Sequence, residues 1–360
     1  MSGDRMLQKV LCVHEKYYLN NEKNGLSACN NYIYHSISGS GLVERTDFFP
    51  YDQLVRLGIE GMSGALWQKC VNEYPQVIVF YVPWHDYWEP LVKVLDGLRR
   101  LGIKVIAFYS DLVTGSVDQT RAALFKAYSL VADCLLNIDS PCLSAAYDHP
   151  CHIRGYTGVD PEHFYWRPTP RDIDVSFLGS RGQSYAARRE YIAFLERNLA
   201  EREIHFLVGG GQLPEEESLS LADYADLLRH SKITLNFATT LGNARQLKGR
   251  VLEALACRTF LLDEANPGTR RLFSEGSDYV SFDNKEELLT KILYYLENAG
   301  EREQIADSGW VKARDLWNAR NLWAYVFTKL GFDIASEAGE HFAEFCKLMD
   351  GVQAGVRREA

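Results

Sequence analysis

Short runs of β-branched and aromatic residues alternate with amphipathic stretches along the whole chain, and that alternation admits few folds. Strands that are apolar on both faces and separated by helices build parallel sheets with helical crossovers. In the first half, residues 9–13, 76–81, 104–109, 134–137 and 152–154 read as strands, and 91–101 keeps apolar residues at helical spacing. A polar loop covers 18–24, and Gly25 then opens a predicted helix through Tyr34. The segment 158–164, with Pro168 and Pro170 behind it, has linker composition and predicts a boundary. Beyond it the pattern restarts, with strands at 174–178, 204–208, 233–237, 259–262 and 279–282. Helices are predicted at 186–199, 221–229, 249–257, 270–273 and from 285 onward, ending in a helical tail. Two doubly wound α/β domains are expected, over 1–168 and 169–325.

A chain of 360 residues is long enough for two domains that each bury a core. Hydrophobic residues make up 46% and charged residues 24%, and no apolar run approaches the roughly 20 residues of a membrane helix. The net charge is -9 without any dense basic run, which argues against nucleic acid as a partner. Eight cysteines without a CxxC pair fit reduced core thiols. Met1 to Lys9 has no apolar signal core, so the expected location is cytoplasmic.

Ligands of open parallel sheets sit outside the carboxyl ends of the strands. In the second half the residues there are Gly179-Ser180-Arg181, Gly209-Gly210-Gly211, Asn236 with Thr239 and Thr240, and Asp263-Glu264. The glycine run fits a tight turn as well as close approach of a ligand to the backbone. A helix starting at Lys248-Gly249-Arg250 offers free N–H groups and two cations, a receptor for a diphosphate. Glu253 lies one turn along on the same face and can accept hydrogen bonds from a ribose diol. A solvated helix start with an ordinary salt bridge is the alternative. In the first half His85 and Asp86 follow one strand and Asp111 follows the next, while His14-Glu15 reads as acceptor-side lining or as plain surface loop. Trp310, Trp317, Trp323, Tyr325 and Phe327 on the tail helices read as core.

Residues 249–257, read with 260–262, Gly276 and Glu286-Glu287, resemble the donor-binding segment of the glycosyl transferases group 1 clan. The basic approach Gln246-x-Lys248-x-Arg250 is closer to its CgeB-like branch. Segment 158–164 resembles the clan's interdomain segment, and 177–179 and 207–211 resemble its glycine-marked strand ends. The resemblance implies the GT-B fold: two Rossmann-like domains facing a cleft, with C-terminal helices over 326–360 packing back on the first. It implies transfer of a sugar from a nucleoside-diphosphate sugar to a hydroxyl acceptor of a glycan, lipid, small molecule or protein, with no metal and no cofactor besides the donor. Ser180, Arg181, Gly209, Gly210, Arg245, Lys248, Gly249, Arg250 and Glu253 would hold the donor, and His85, Asp86 or Asp111 would act on the acceptor. Arg245 stands where the clan's first Glu would contact the donor sugar, and Lys248 replaces a clan glycine. Asp172-Ile173-Asp174 has the form of a metal-binding DxD but begins a strand, the wrong end for a ligand. A non-catalytic sugar-nucleotide-binding or partner-binding module and a sugar-nucleotide 2-epimerase are the alternative functions.

Overall fold

The computed structural model describes residues 6–82, 88–109, 126–138, 149–182, 186–211, 218–239 and 245–359. The chain divides into two units: unit 1 holds Met1–Glu22, Leu26–Asp160 and Ala319–Ala360, and unit 2 holds Lys23–Gly25 and Pro161–Asn318. Among the described residues no helix is long and apolar enough to cross a membrane.

Unit 1 is built on β1 (Leu7–His14), β2 (Val43–Pro50), β3 (Val77–Tyr81), β4 (Lys104–Tyr109), β5 (Cys134–Ile138) and β6 (His152–Gly155). The strands pair in parallel in the order β2-β1-β3-β4-β5-β6. Every residue of β3 is buried, as a parallel strand covered on both faces requires. Helices α1 (Gly58–Glu73) and α2 (Glu89–Arg100) flank β3 in sequence. α2 has a proline in its first turn, buries Leu91, Leu95 and Leu98, and ends on Arg99 and Arg100, the charge its carboxyl end favours.

Two features of unit 1 differ from the sequence expectation. β2 is a full strand although Glu44, Arg45, Thr46 and Asp47 break its apolar pattern. It lies at the sheet edge, where Asp47 meets Lys9 at 2.9 Å and Arg45 at 2.9 Å, so charge is tolerated. The helix expected from Gly25 is instead a π-helical turn over Asn30–His35 that runs into Ser36–Ser38. Asn30 Nδ2 donates to Ser27 O at 2.8 Å and Lys16 O at 2.9 Å, and such local bonds compete with helix formation.

Unit 2 runs β7 (Ile173–Leu178), α3 (Ala186–Ala200), β8 (Phe206–Gly209), α4 (Leu221–His230), β9 (Ser231–Asn236) and α5 (Gly249–Ala256). It continues through β10 (Phe260–Glu264), α6 (Pro267–Leu272), β11 (Val280–Phe282), α7 (Lys285–Glu297) and α8 (Ala299–Asp315). All pairs are parallel, in the order β11-β10-β9-β7-β8. Val175, Phe177, Ile233, Leu235, Phe260, Leu262, Val280 and Phe282 recur at spacing two and pack with Ile192, Leu195 and Leu199 of α3 and Leu288 and Ile292 of α7. In each unit the first strand lies inside the sheet, between the second and third. The order therefore switches between β1 and β3 in unit 1 and between β7 and β9 in unit 2, and the carboxyl ends there form the ligand crevice of such sheets.

The C-terminal helices return to unit 1, beginning at Ala319. Trp323 of α9 (Ala319–Lys329) is fully buried and donates through Nε1 to Ser36 Oγ at 2.6 Å. α10 (Phe342–Glu359) lies on β6, where Gln353 Oε1 accepts from Arg154 N at 2.9 Å. Trp317, also buried, donates to Leu272 O at 2.8 Å within unit 2. In the segment expected as a linker, Val159 and Asp160 are buried, with Asp160 N donating to Asn31 Oδ1 at 2.8 Å, while Pro161, Glu162, Pro168 and Pro170 are exposed.

Candidate functional site

The site is assembled at the β7/β9 switch point of unit 2. β7 ends at Leu178 and runs into Gly179-Ser180, β9 ends at Asn236, and α5 starts at Gly249. The α5 sequence GRVLEALA is rich in strong helix formers and buries Val251, Leu252 and Leu255. It stops where Arg258 takes a left-handed φ of 58° and Thr259 N returns to Ala254 O at 3.0 Å. Its start differs from those of its neighbours. Ser220, Asn266 and Asn284 cap α4, α6 and α7 through their side chains, whereas Lys248 at the start of α5 is extended and makes no side-chain cap bond. The α5 amides therefore face the crevice without an oxygen from their own cap residue.

Arg250 lies across this point. Its Nη1 donates to Asn236 Oδ1 at 3.0 Å, and its guanidinium sits 5.1 Å from the Phe177 ring centroid. A Cβ on Gly179 would fall 2.1 Å from its Nη2, so only glycine admits the guanidinium there. Asn236 Nδ2 donates to Asp263 Oδ1 at 2.7 Å, and Asn266 Nδ2 donates to Asp263 Oδ2 at 2.9 Å. Burial pushes the Asp263 carboxyl up to about 7, against the opposing pull of hydrogen bonds with Thr269, Asn236 and Asn266. Glu253 is buried one turn into α5, and its Oε2 accepts from Tyr224 Oη of α4 at 2.7 Å. Burial and then the Glu253 charge hold the Tyr224 phenol well above its ordinary value, so it acts as a donor.

The structure thus brings Gly179, Lys248, Gly249, Arg250 and Glu253 to one end of one sheet. Ser180 borders them, its carbonyl taking Arg188 Nη1 at 2.7 Å, and the Arg181 carbonyl accepts from Arg189 at 3.4 Å. Gly209 O accepts from Gly179 N at 2.7 Å, and open space surrounds the place where a Gly209 Cβ would stand. Gly210 has φ +78°, a conformation suited to glycine. Arg245 belongs to a neighbouring cluster: it donates to Ala265 O at 2.8 Å and Asp283 Oδ1 at 3.3 Å, and its Nε lies 3.7 Å from Glu264. Glu264 in turn accepts from Thr239 N at 2.8 Å and Thr239 Oγ1 at 2.7 Å. Asp172 just before β7 and Asp174 near its start are paired with His230 at 2.8 Å and Lys232 at 2.6 Å.

His85, Asp86 and Asp111 lie outside the described residues. His14 is no surface-loop residue. It closes β1 fully buried, its ring 4.3 Å from that of Phe48, and its Nδ1 donates to Glu15 O at 2.8 Å. Burial pushes it down to about 4, so it is neutral through the physiological range. Sequence reasoning missed Tyr224 and Asn266, which reach the site from other elements. The one signal for Asn266 is its place before Pro267, an N-cap pattern.

This arrangement matches known folds. Residues 188–328 match the family model of glycosyl transferase-like proteins. HepE of Anabaena in complex with UDP-glucose superposes with a TM-score of 0.56 at 11% identity, covering 89% of this chain and 99% of that one. The fold is GT-B, and its glycosyl transferase-like segment runs through unit 2 into α9. Sucrose-phosphate synthase from Thermosynechococcus elongatus shares this GT-B architecture, with a TM-score of 0.57, 15% identity and coverage of 90% and 99%. The crystal structure of a candidate UDP-N-acetylglucosamine 2-epimerase from Listeria monocytogenes gives a TM-score of 0.54 at 12% identity, covering 90% of this chain and 96% of that one. A search of curated proteins finds no match.

Proposed function

We propose that this GT-B protein binds a nucleoside-diphosphate sugar in unit 2 and transfers the sugar to a hydroxyl acceptor. The observation that carries the reading is the convergence of Arg250, the start of α5 and the buried Glu253 at the β7/β9 switch point. The diphosphate lies against the first-turn amides, Lys248 and Arg250, and Glu253 accepts the ribose hydroxyls. The UDP-glucose complex of HepE supports a nucleotide-sugar ligand. Negative charge grows on the diphosphate as the glycosidic bond breaks, and fixed cations and amide dipoles stabilise it without reorganising. They supply the charge stabilisation that a divalent metal provides elsewhere, so the transfer proceeds without one. In the retaining route that the clan resemblance favours, the departing phosphate takes the acceptor proton. His85, Asp86 and Asp111 are the candidate bases for an inverting route, and the product anomer distinguishes the two.

The test begins with a melting-temperature screen against UDP, GDP and ADP, since a ligand at one hundred times its Kd stabilises by about 2.7 kcal/mol. No shift with any of them overturns the reading. Nucleoside diphosphate release from the matching sugar donor, rising with added acceptor, then supports transfer. The Listeria neighbour favours one second reading, epimerisation, which would interconvert the sugar nucleotide and need no acceptor.

A further inference from the structure

We propose that Asn236 is a positioning residue of the donor site, fixing the Arg250 guanidinium so that its remaining N–H groups meet the diphosphate. The inference rests on the donor-site reading above and names the device that aims its main cation.

Asn236 is fully buried at the end of β9, and its amide is committed on both sides. Its Oδ1 accepts from Arg250 Nη1 at 3.0 Å while its Nδ2 donates to Asp263 Oδ1 at 2.7 Å. An amide whose nitrogen is held by a carboxyl can present only its oxygen to the arginine, so the network sets the flip. Asp263, itself fully buried, is fixed in turn, because its Oδ2 accepts from Asn266 Nδ2 at 2.9 Å. Asn266 is held by Thr269 N at 2.9 Å, the capping bond of α6. A continuous line of hydrogen bonds, buried as far as Asn236, therefore runs from the α6 cap to Arg250. Two further surfaces restrict the guanidinium: the Phe177 ring, 5.1 Å from its carbon, and the Gly179 backbone, where a Cβ would come within 2.1 Å of Nη2. A guanidinium has five N–H donors; Asn236 takes one, the Tyr224 hydroxyl lies in hydrogen-bond reach of the group, and Nε is buried, which leaves the outer N–H groups for an anion. An arginine locked in this way grips an anion with little further ordering, which is the advantage of a preorganised site.

The test is titration calorimetry with whichever of UDP, GDP and ADP binds the full chain, on the wild type, Asn236→Ala, Arg250→Ala and the double variant, with melting temperatures alongside. Asn236→Ala is expected to weaken binding about tenfold, and Arg250→Ala at least as much, as for charge-assisted hydrogen bonds. Because Asn236 acts through Arg250, the double variant should bind no more weakly than Arg250→Ala alone. A purely structural role would instead give additive losses. Additive losses, or wild-type affinity in Asn236→Ala, overturn the positioning role and leave the donor site standing. Wild-type affinity in Arg250→Ala overturns the donor-site reading itself. If Asn236→Ala does not fold, Asn236→Ser carries the same cycle, since it keeps a polar group at the position but a single hydroxyl cannot bridge Asp263 and Arg250 as the amide does.

Discussion

At the scale of residues, the site is a set of committed side chains. Glu253 is buried beside the Tyr224 hydroxyl, so its charge is presented from a fixed direction. Glu253→Ala should weaken nucleotide binding about tenfold or more, the worth of a charge-assisted hydrogen bond, in a variant that still folds. Tyr224→Phe leaves the carboxylate in place without the Tyr224 donor, and a smaller loss is expected, in line with about 0.5–1.5 kcal/mol for an ordinary hydrogen bond. Equal binding by both variants and the wild type would remove Glu253 from the site. Arg250→Ala should lower turnover more than it raises the donor KM, because the charge it meets grows in the transition state. Arg250→Lys should recover only part of the loss, since a point charge lacks the planar fork. A destabilised Ala variant with wild-type single-turnover rate would sink the assignment. Arg250 and Glu253 were legible in the sequence because helix spacing puts them on a start and a face. Tyr224 was not, since it meets Glu253 from a different helix, and no local pattern marks that meeting.

At the scale of elements, polar groups buried at strand ends make stability depend on pH. Asp263 at the end of β10 has an ordinary value of 3.8 and is pushed up to about 7 by burial. Between these values the folded chain keeps a proton that the unfolded chain has released, so this group's contribution falls as pH rises from about 4 to about 7. His14 at the end of β1 has the opposite sign: ordinarily 6.5, it is pushed down to about 4, so its contribution is lost as pH falls through that window. The two slopes oppose each other. Asp263→Asn should therefore melt with a steeper rise between pH 4 and 7 than the wild type, and His14→Gln should tilt the curve the other way. Parallel melting curves across all three proteins would contradict both burial effects. While α1 and the π-helical turn over Asn30–His35 were not read, the strands were read from alternation alone, with β2 the exception. Its Glu44, Arg45 and Asp47 hide the strand from any apolar pattern, and only its edge position beside Lys9 makes the charges acceptable.

At the scale of the whole molecule, two parallel sheets were legible, because buried parallel strands write near-continuous apolar runs, whereas the strand order that sets the switch points is fixed by contacts no local pattern records. The return of the tail was expected only through the clan resemblance, since the contacts of Trp323 with Ser36 and of Gln353 with Arg154 span most of the chain. Trp323→Ala should cost unit 1 about 3–5 kcal/mol, as for other fully buried large side chains, measurable by calorimetry. Excess EDTA should leave donor turnover intact, since cations and amides already meet the diphosphate charge. Activity that collapses on chelation and returns with manganese would contradict the metal-free mechanism.

The return of Ala319–Ala360 to the first unit also sets an order of events on the ribosome. Pro161–Asn318 is contiguous and can complete its sheet as soon as it leaves the exit tunnel. The unit that is synthesised first must wait, because α10, which lies on its β6, and Trp323, which bonds its Ser36, are made later. Nascent chains stalled once Asn318 has left the tunnel, with Ala319–Ala360 still inside it, should accordingly resist protease through the later-made unit while the earlier-made one is still cleaved.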